Sequence, residues 1–263
     1  MEAIATRPES IRIIRRIEPF VSIRIENTRY LLKTADTYPE LKEVMRLRSR
    51  VFSAEYGAPT GAPGFDVDDF DFQCDHLLII EKSTGEVVGT YRMLCSRFVS
   101  EFYSQTEFNL DRFLASPGTK LELGRACIAP EHRKGATLSL LWRGIVRYAR
   151  ETRSDYLFGC SSVKTTDAAE AKRLHLQLAA AGACDDTWGI FPIGRYRIED
   201  FESITPGPET AAVPIPPLLQ SYLNAGAKIH GAPARDIDFN CIDLITILRL
   251  SDLSQTHEKF HTI

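Results

Sequence analysis

The sequence predicts an α/β (α+β) sheet fold in one domain with a C-terminal elaboration. Three observations carry that reading. Short apolar runs bounded by turn residues alternate with segments of 3.6-residue apolar period. Residues 121–141, LELGRACIAPEHRKGATLSLL, read as a complete strand, Pro-marked turn, basic glycine loop and helix. Apolar residues make up 44% and charged residues 25% of 263, the balance of an ordinary soluble globular chain.

The elements follow in order. Residues 1–10 have no pattern. Residues 11–25, IRIIRRIEPFVSIRI, form a basic amphipathic stretch that suits an anionic membrane surface or a first strand packed on the domain. Residues 29–34 read as a strand. Residues 39–55 read as a helix with Pro39 early in it. Its apolar stripe of Leu41, Val44, Met45, Val51 and Phe52 also carries Arg48. An arginine on such a stripe needs a carboxylate, a phosphate or carbonyl oxygens, unless it snorkels to the surface. A Gly/Pro-rich loop then ends in Asp66, Asp68, Asp69 and Asp71.

Residues 77–81 and 86–95 pair as antiparallel strands through the Ser83-Thr84-Gly85 turn. Residues 98–116 are aromatic-rich and helical in their later half. After the central strand, residues 136–150 form a helix with apolar positions 138, 141, 142, 145, 148 and 149. Residues 155–160 are a strand. Residues 167–181 are a helix capped by Asp167 and Glu170 and stopped by Gly182. Residues 188–197 have strand character, 216–223 start a helix, 226–235 return as a loop, and 241–250 form a late apolar strand. The implied organisation is a basic arm over 1–28, a core over 29–198, and an extension over 199–263 packed on that core.

The net charge of −3 argues against bulk nucleic-acid binding. The six cysteines contain no C-x-x-C pair, so neither a disulfide framework nor a zinc site is indicated and no metal is expected. The N-terminus lacks an apolar signal region, and no apolar run reaches bilayer length. A cytoplasmic chain is expected, soluble or peripheral at the inner face of the membrane.

The 121–141 unit carries the chemistry. A helix N-terminus offers unpaired N–H groups and a partial positive charge, which suits the phosphate of an acyl carrier. Glu122 is the one acid in its strand and is the candidate base for an incoming nucleophile. A structural ion pair with Arg125 or Arg92 is the competing reading. Backbone N–H groups over 125–128 could hold an oxyanion. His76 and His132 are alternative proton carriers or packed histidines. No Ser/His/Asp order is legible, and the cysteines lack a basic partner, so a covalent intermediate is disfavoured.

The strand–loop–helix unit resembles the acyl-carrier site of the Gcn5-related N-acetyltransferase superfamily. There a glycine-containing loop holds a pyrophosphate or a phosphopantetheine; here His132-x-x-Gly135-x-Thr137 stands in that place. Over residues 45–165 the order Arg48-x-x-x-Phe52, Asp68-x-Phe70-Asp71, Gly89-Thr90-Tyr91-Arg92 and Glu122-x-Gly124-Arg125 is similar to that of acyl-homoserine-lactone synthases, with Gly124 where those have serine. The fullest match is the related haemolysin-like branch typified by ornithine–acyl carrier protein N-acyltransferases. It rests on residues 71–77, 89–94, 102–110, 121–127 and 140–145, and on Asp238-Phe239-Asn240 before Asp243.

The resemblance implies a mixed central sheet flanked by helices and an N-acyltransferase. The enzyme would move a long-chain acyl group, 3-hydroxylated or not, from acyl carrier protein to the α-amine of an amino acid, ornithine favoured, giving lyso-ornithine lipid. Glu122 would be catalytic. Arg48, Arg92 and Arg125 would clamp the acceptor's carboxylate, and Asp68 or Asp71 would hold a side-chain ammonium, or all of these form one charge network holding the loop to the sheet. Ile128, Arg133, Lys134, Gly135, Ala136 and Thr137 would hold the phosphopantetheine. The donor is acyl carrier protein or acyl-CoA as co-substrate, with no permanently bound cofactor. The basic residues Arg133, Lys134, Arg143, Arg147, Arg150 and Arg153 offer a dock for an acidic carrier protein or are simply a solvated face. An autoinducer synthase and a non-catalytic membrane-acting protein are the alternative functions.

Overall fold

The computed structural model describes residues 18–57, 64–133, 135–207 and 212–253. The first half of the chain alternates strands and helices: β1 (Arg24–Glu26), β2 (Tyr30–Thr34), α1 (Tyr38–Tyr56), β3 (Asp75–Glu81), β4 (Val87–Cys95), β5 (Phe108–Asn109), α2 (Asp111–Ala115), β6 (Lys120–Ile128) and α3 (Ala136–Glu151). The second half adds β7 (Tyr156–Val163), α4 (Ala168–Ala180), β8 (Cys184–Asp185), β9 (Phe191–Pro192), α5 (Pro217–Ala225), β10 (Lys228–His230), β11 (Ala234–Asp236) and β12 (Cys241–Arg249). A mixed sheet runs in the order β1-β2-β3-β4-β6-β7-β12-β10-β8, with β11 on β12 and a separate β5-β9 pair. The basic stretch expected near the N-terminus lies outside the described residues up to position 17; its end enters the sheet as β1.

The core follows from strand alternation, which sends successive side chains to opposite faces. Met93, Leu157 and Leu248 pack with Leu140, Leu141 and Ile145 of α3. Their neighbours Leu94, Phe158 and Ile247 pack instead with Phe102, Phe108 and Phe113. Helix α1 is capped by Thr37, whose side chain accepts the Glu40 N–H, and ends at left-handed Gly57. Helix α4 is capped by Asp167, which accepts the Glu170 N–H. The Glu170 carboxylate accepts the Thr165 hydroxyl, 2.6 Å away, so only half of the expected capping box forms.

Three segments differ from expectation. The aromatic stretch forms only the five-residue α2, because a 3-10 turn over Tyr103–Thr106 and the short β5 bring Phe102, Phe108 and Phe113 into one core. Residues 188–197 contribute only the two-residue β9. Residues 226–235 hold two strands, β10 and β11, each three residues long, too short for periodicity to reveal.

The feature that positions the site is a divergence in the sheet. Parallel strands β6 and β7 pair only at Lys120↔Tyr156, Leu121↔Leu157 and Glu122↔Phe158, and then part. Antiparallel β12 follows β7 along its whole length, from Arg249↔Tyr156 to Ile242↔Val163. A wedge therefore opens between the far halves of β6 and β7. Gly159 stands where they separate; a Cβ there would lie 2.3 Å from the Leu123 carbonyl oxygen.

Candidate active site

The wedge forms a cleft of about 440 Å³, within the roughly 300–1,000 Å³ of small-ligand sites. Its apolar part is lined by Val51, Phe52, Leu138, Leu141, Leu218 and Tyr222. Tyr222 closes it from α5 through a buried hydroxyl–hydroxyl bond to Tyr91. Its polar part is lined by Arg92, Tyr103, Glu122, Arg125, Asp236 and Asp243.

Glu122 is the last residue of β6 paired with β7, and it lines the cleft where the two strands part. Its carboxylate accepts the backbone N–H of Tyr103 at 2.8 Å and of Ser104 at 2.7 Å. Burial raises its pKa, while contacts to Ser104 and the charge of Arg92 pull it back. A carboxyl held above its usual range is a better base near neutral pH. Neither expected ion pair forms within salt-bridge distance among the described residues; the partners are two main-chain amides.

Next along β6 the ladder to β4 slips. Thr90 faces Cys127 and Arg92 faces Gly124, so two residues of β6 oppose the single Tyr91. This is a β-bulge, and Arg125 in it has φ 51°. A left-handed non-glycine residue carries strain of roughly 1–3 kcal/mol and clusters at functional sites. Bulges also turn side chains and amides toward such sites. The Arg125 guanidinium lies 4.8 Å from the ring centres of both Tyr103 and Phe239 and donates to Asp68 Oδ2 at 2.9 Å.

The four remaining acceptor-site candidates form one buried charge network. Arg48 is fully buried and donates to Asp66 at 2.6 Å and to Asp71 at 2.7 and 2.9 Å. Arg92 donates through Nη1 to both oxygens of Asp68, at 2.6 and 2.7 Å. Against the cost of burial, Arg48 and Arg92 hold the Asp71 carboxyl well below the ordinary range. Arg48, Asp68 and Asp71 are absent from the cleft wall. The carboxylates expected to meet an ammonium are thus engaged by arginines behind it, because buried arginines require them. Arg92 differs. Its Nε and Nη2 are buried with no hydrogen-bond partner. Those atoms form one edge of the planar guanidinium, a fork that fits a carboxylate. Gly124 faces that edge, and even a Cβ there would stand 3.6 and 3.7 Å from the two nitrogens.

The carrier-site candidates gather at the N-terminus of α3. Ile128, Arg133 and Gly135 line the cleft, and Ala136 opens the helix. Arg133 donates to the Ile128 carbonyl at 3.0 Å and pairs with Glu55. The Thr137 hydroxyl donates to the His132 carbonyl at 2.8 Å, bracing the loop. Lys134 lies outside the described residues. His132 bonds the Tyr30 hydroxyl at 2.9 Å. His76 is buried away from the cleft, and burial lowers its pKa to about 4. Both histidines are packed groups. Arg147, Arg150 and Arg153 are exposed on and just beyond the same helix, and Arg143 is half-buried.

A group to which sequence reading gave no role, although Glu107 and Asp243 fall in the stretches that carry the family resemblance, adjoins the cleft. Glu107 comes from one segment and Asp236 and Asp243 from the neighbouring strands β11 and β12, more than 100 residues later, and the three meet beside Cys160 and Cys241. Only the pairing of β12 with β7 and β11 brings them together, and no local pattern announces it.

Comparison with known proteins agrees with this architecture. Residues 47–143 match the family described as Acetyltransferase (GNAT) domain. The chain is 32% identical over 249 residues to an L-ornithine N(alpha)-acyltransferase of Brucella abortus, covering 88% of each chain. It is 30% identical over 254 residues to one of Rhodobacter capsulatus, covering 89% of this chain and 95% of that one. Among solved structures, FeeM, an N-acyl amino acid synthase from uncultured soil microbes, superposes with a TM-score of 0.52 at 11% identity, over 86% of this chain and 94% of that one. That last likeness is one of fold.

Proposed function

The chain belongs to the family of the L-ornithine N(alpha)-acyltransferases and is an acyltransferase with a GNAT domain; from that premise we propose that it transfers a long-chain acyl group from acyl carrier protein to the α-amine of ornithine, giving lyso-ornithine lipid. The observation that carries the reading is the unpartnered Nε/Nη2 edge of Arg92, buried behind Gly124 in a residue that lines the same cleft as Glu122. An amino acid whose carboxylate sits on that edge leaves its α-amine free to face the base.

The reaction then has a defined course. Glu122 takes a proton from the α-ammonium, directly or through one water. The freed nitrogen attacks the thioester carbonyl, and a C–N bond forms. Main-chain N–H groups at the Arg125 bulge face the oxyanion of the tetrahedral intermediate. Its collapse breaks the C–S bond; of the two protons that the α-ammonium gives up on becoming an amide, one goes to the departing thiolate, so that the carrier leaves as its thiol, and the other passes through Glu122 to solvent. The phosphopantetheine phosphate meets the N-terminus of α3, where helix amides and the positive end of the helix dipole attract it. Because Thr137 and Arg133 brace the loop rather than project from it, main-chain groups carry most of that grip. The acyl chain lies along the apolar lining under Tyr222. Arg147, Arg150 and Arg153, exposed at the C-terminal end of α3 and just beyond it, add positive charge that suits an acidic carrier protein over free CoA. No helix among the described residues is long and apolar enough to cross a membrane; peripheral contact through the basic N-terminal arm is part of this proposal.

The test is reconstitution. Purified protein, a long-chain acyl-acyl carrier protein and ornithine should yield N-acyl-ornithine by mass spectrometry, with equimolar release of carrier thiol. A lactone product, or transfer to the δ-amine, would refute the proposed reaction.

A further inference from the structure

The proposed reading accounts for a carboxylate and an α-amine but leaves three buried acids in the cleft unexplained. Asp243 is 3% exposed; its Oδ1 accepts the Ser162 hydroxyl at 2.6 Å, and its Oδ2 accepts the Cys241 thiol at 3.5 Å. Asp236 is 3% exposed, and one of its oxygens accepts the N–H groups of Asp238 and Phe239 at 2.9 and 3.1 Å. Glu107 is fully buried; its Oε2 accepts the Cys160 thiol at 3.7 Å, and its Oε1 has no partner at all. Ligand atoms of Glu107, Cys160 and Asp243 lie within 4.8 Å of one another, as do those of Asp236, Cys241 and Asp243. Among the described residues, none of the three carboxylates forms an ion pair with lysine or arginine.

Such an arrangement is costly when empty. Burial, with Asp236 alongside, pushes the Asp243 carboxyl up to about 6, and burial with Asp243 and Asp236 pushes Glu107 well above the usual range. Elsewhere in the molecule the buried acids facing the cleft's back wall have arginines; these three do not. Buried acids crowded together without a counter-ion either hold a proton, as the raised values mark, or take a cation as ligand. The cluster opens to the cleft, because Asp236, Asp243, Cys160 and Cys241 all line it.

The cluster also lies within reach of the acceptor site. Tyr103 connects the two: its N–H is bound by Glu122, its ring faces the guanidinium groups of Arg92 at 5.2 Å and Arg125 at 4.8 Å, and its hydroxyl is in the field of Glu107 and Asp243. The cleft thus presents an anion-binding edge at one end and an acid pocket at the other. A diamino acid carries the matching pair of charges.

We propose that Asp243, Asp236 and Glu107 form a subsite for the side-chain ammonium of the acceptor, so that the enzyme selects an α-amino acid with a distal cation. This rests on the acyl-transfer reading above. An ammonium fits better than a divalent metal because the two cysteines act here as S–H donors. Each thiol is placed to donate to its carboxylate, Cys160 to Glu107 and Cys241 to Asp243. The ammonium's N–H groups can meet an oxygen of Asp243 together with one of Asp236 or of Glu107, the pairs whose ligand atoms lie within 4.8 Å of each other. The subsite also fixes regiochemistry: with the distal nitrogen held as a cation, only the α-nitrogen faces Glu122.

The experiment compares ornithine with norvaline, the same carbon chain without the distal amine, in wild type and in Asp243→Asn, Asp236→Asn and Glu107→Gln. Melting curves establish that each variant is folded, and the wild-type comparison stands without any variant. Wild type should favour ornithine in kcat/KM by at least roughly 100-fold, and Asp243→Asn should cut that selectivity about 10- to 100-fold, the effect of losing one charge-assisted hydrogen bond. Equal use of both acceptors by wild type overturns the subsite. Selectivity unchanged in all three folded variants also overturns it. So does loss of turnover on chelation that a divalent cation restores, which would make the cluster a metal site. Wild type that acylates neither amino acid overturns the acyl-transfer reading itself.

Discussion

Replacing Glu122 with glutamine separates the chemistry of the site from its architecture. Both carboxylate oxygens accept main-chain N–H groups, at 2.7 and 2.8 Å. A glutamine keeps one of these bonds and sets its own N–H₂ against the other donor. One lost bond and one unsatisfied buried N–H cost about 1–3 kcal/mol. At about 2–4 °C per kcal/mol for a chain of this size, Glu122→Gln should melt lower by up to roughly 10 °C and remain folded. Its chemistry suffers more. Loss of a positioned base lowers kcat by about 10²–10⁴, or about 2.7–5.4 kcal/mol of barrier at 1.36 per tenfold. The pH profile supplies an independent signature. Burial raises the Glu122 carboxyl, so wild-type kcat/KM should fall on the acid side as that group protonates, and this limb should vanish in the variant. The assay follows carrier thiol release with ornithine from pH 4.5 to 8, beside a thermal melt. A folded Glu122→Gln with kcat within threefold of wild type, or with the acid limb intact, refutes the assignment of the base.

Other perturbations probe the rest of the site. Arg48→Met leaves Asp66 and Asp71 buried without their partner, which should cost about 3–5 kcal/mol and lower the melting temperature on the order of 10 °C. Asp71 is depressed by Arg48 and Arg92, so its stabilisation is complete above the ordinary carboxylate pKa and lost as pH falls through the depressed value. The variant should therefore lose less stability on acidification than wild type does. Asp243 titrates near 6 among Glu107, Asp236, Cys160, Cys241 and Ser162, with Arg125 acting from beyond ion-pair distance. Its ionised form binds the cation, so the KM for ornithine should rise as pH drops below 6. A KM constant from pH 5 to 8 would contradict the subsite. Charge reversal at Arg143 and Arg147 should raise the KM for acyl-acyl carrier protein severalfold while leaving the KM for ornithine unmoved; an unchanged carrier KM would remove this helix from the docking face.

How much of this was legible depended on the range of the interactions. Strand β6 and helix α3 were readable because each declares its period within 20 residues. Arg48 was readable as a misfit on an apolar stripe, and its carboxylates lie only 18 and 23 positions away. The Arg125 bulge was not readable, since a slip in register belongs to the pairing of β4 and β6 and not to either strand alone. For Asp68 and Asp71 the sequence left two readings open, a substrate ammonium or a charge network with Arg48, Arg92 and Arg125, and the ion pairs show the network. The Glu107–Asp236–Asp243 cluster was least accessible, because Glu107 lies more than 100 residues from the other two and meets them only through the β7–β12–β11 ladder.

The central claim is that the free edge of Arg92 orients an amino acid so that its α-nitrogen faces Glu122. A crystal structure of the protein with ornithine bound tests it most directly. The account predicts the ornithine carboxylate on Arg92 Nε and Nη2, and the α-nitrogen within about 2.6–3.2 Å of the Glu122 carboxylate or one water from it. Ornithine bound outside the β6–β7 cleft, or with its carboxylate turned away from Arg92, would contradict the account.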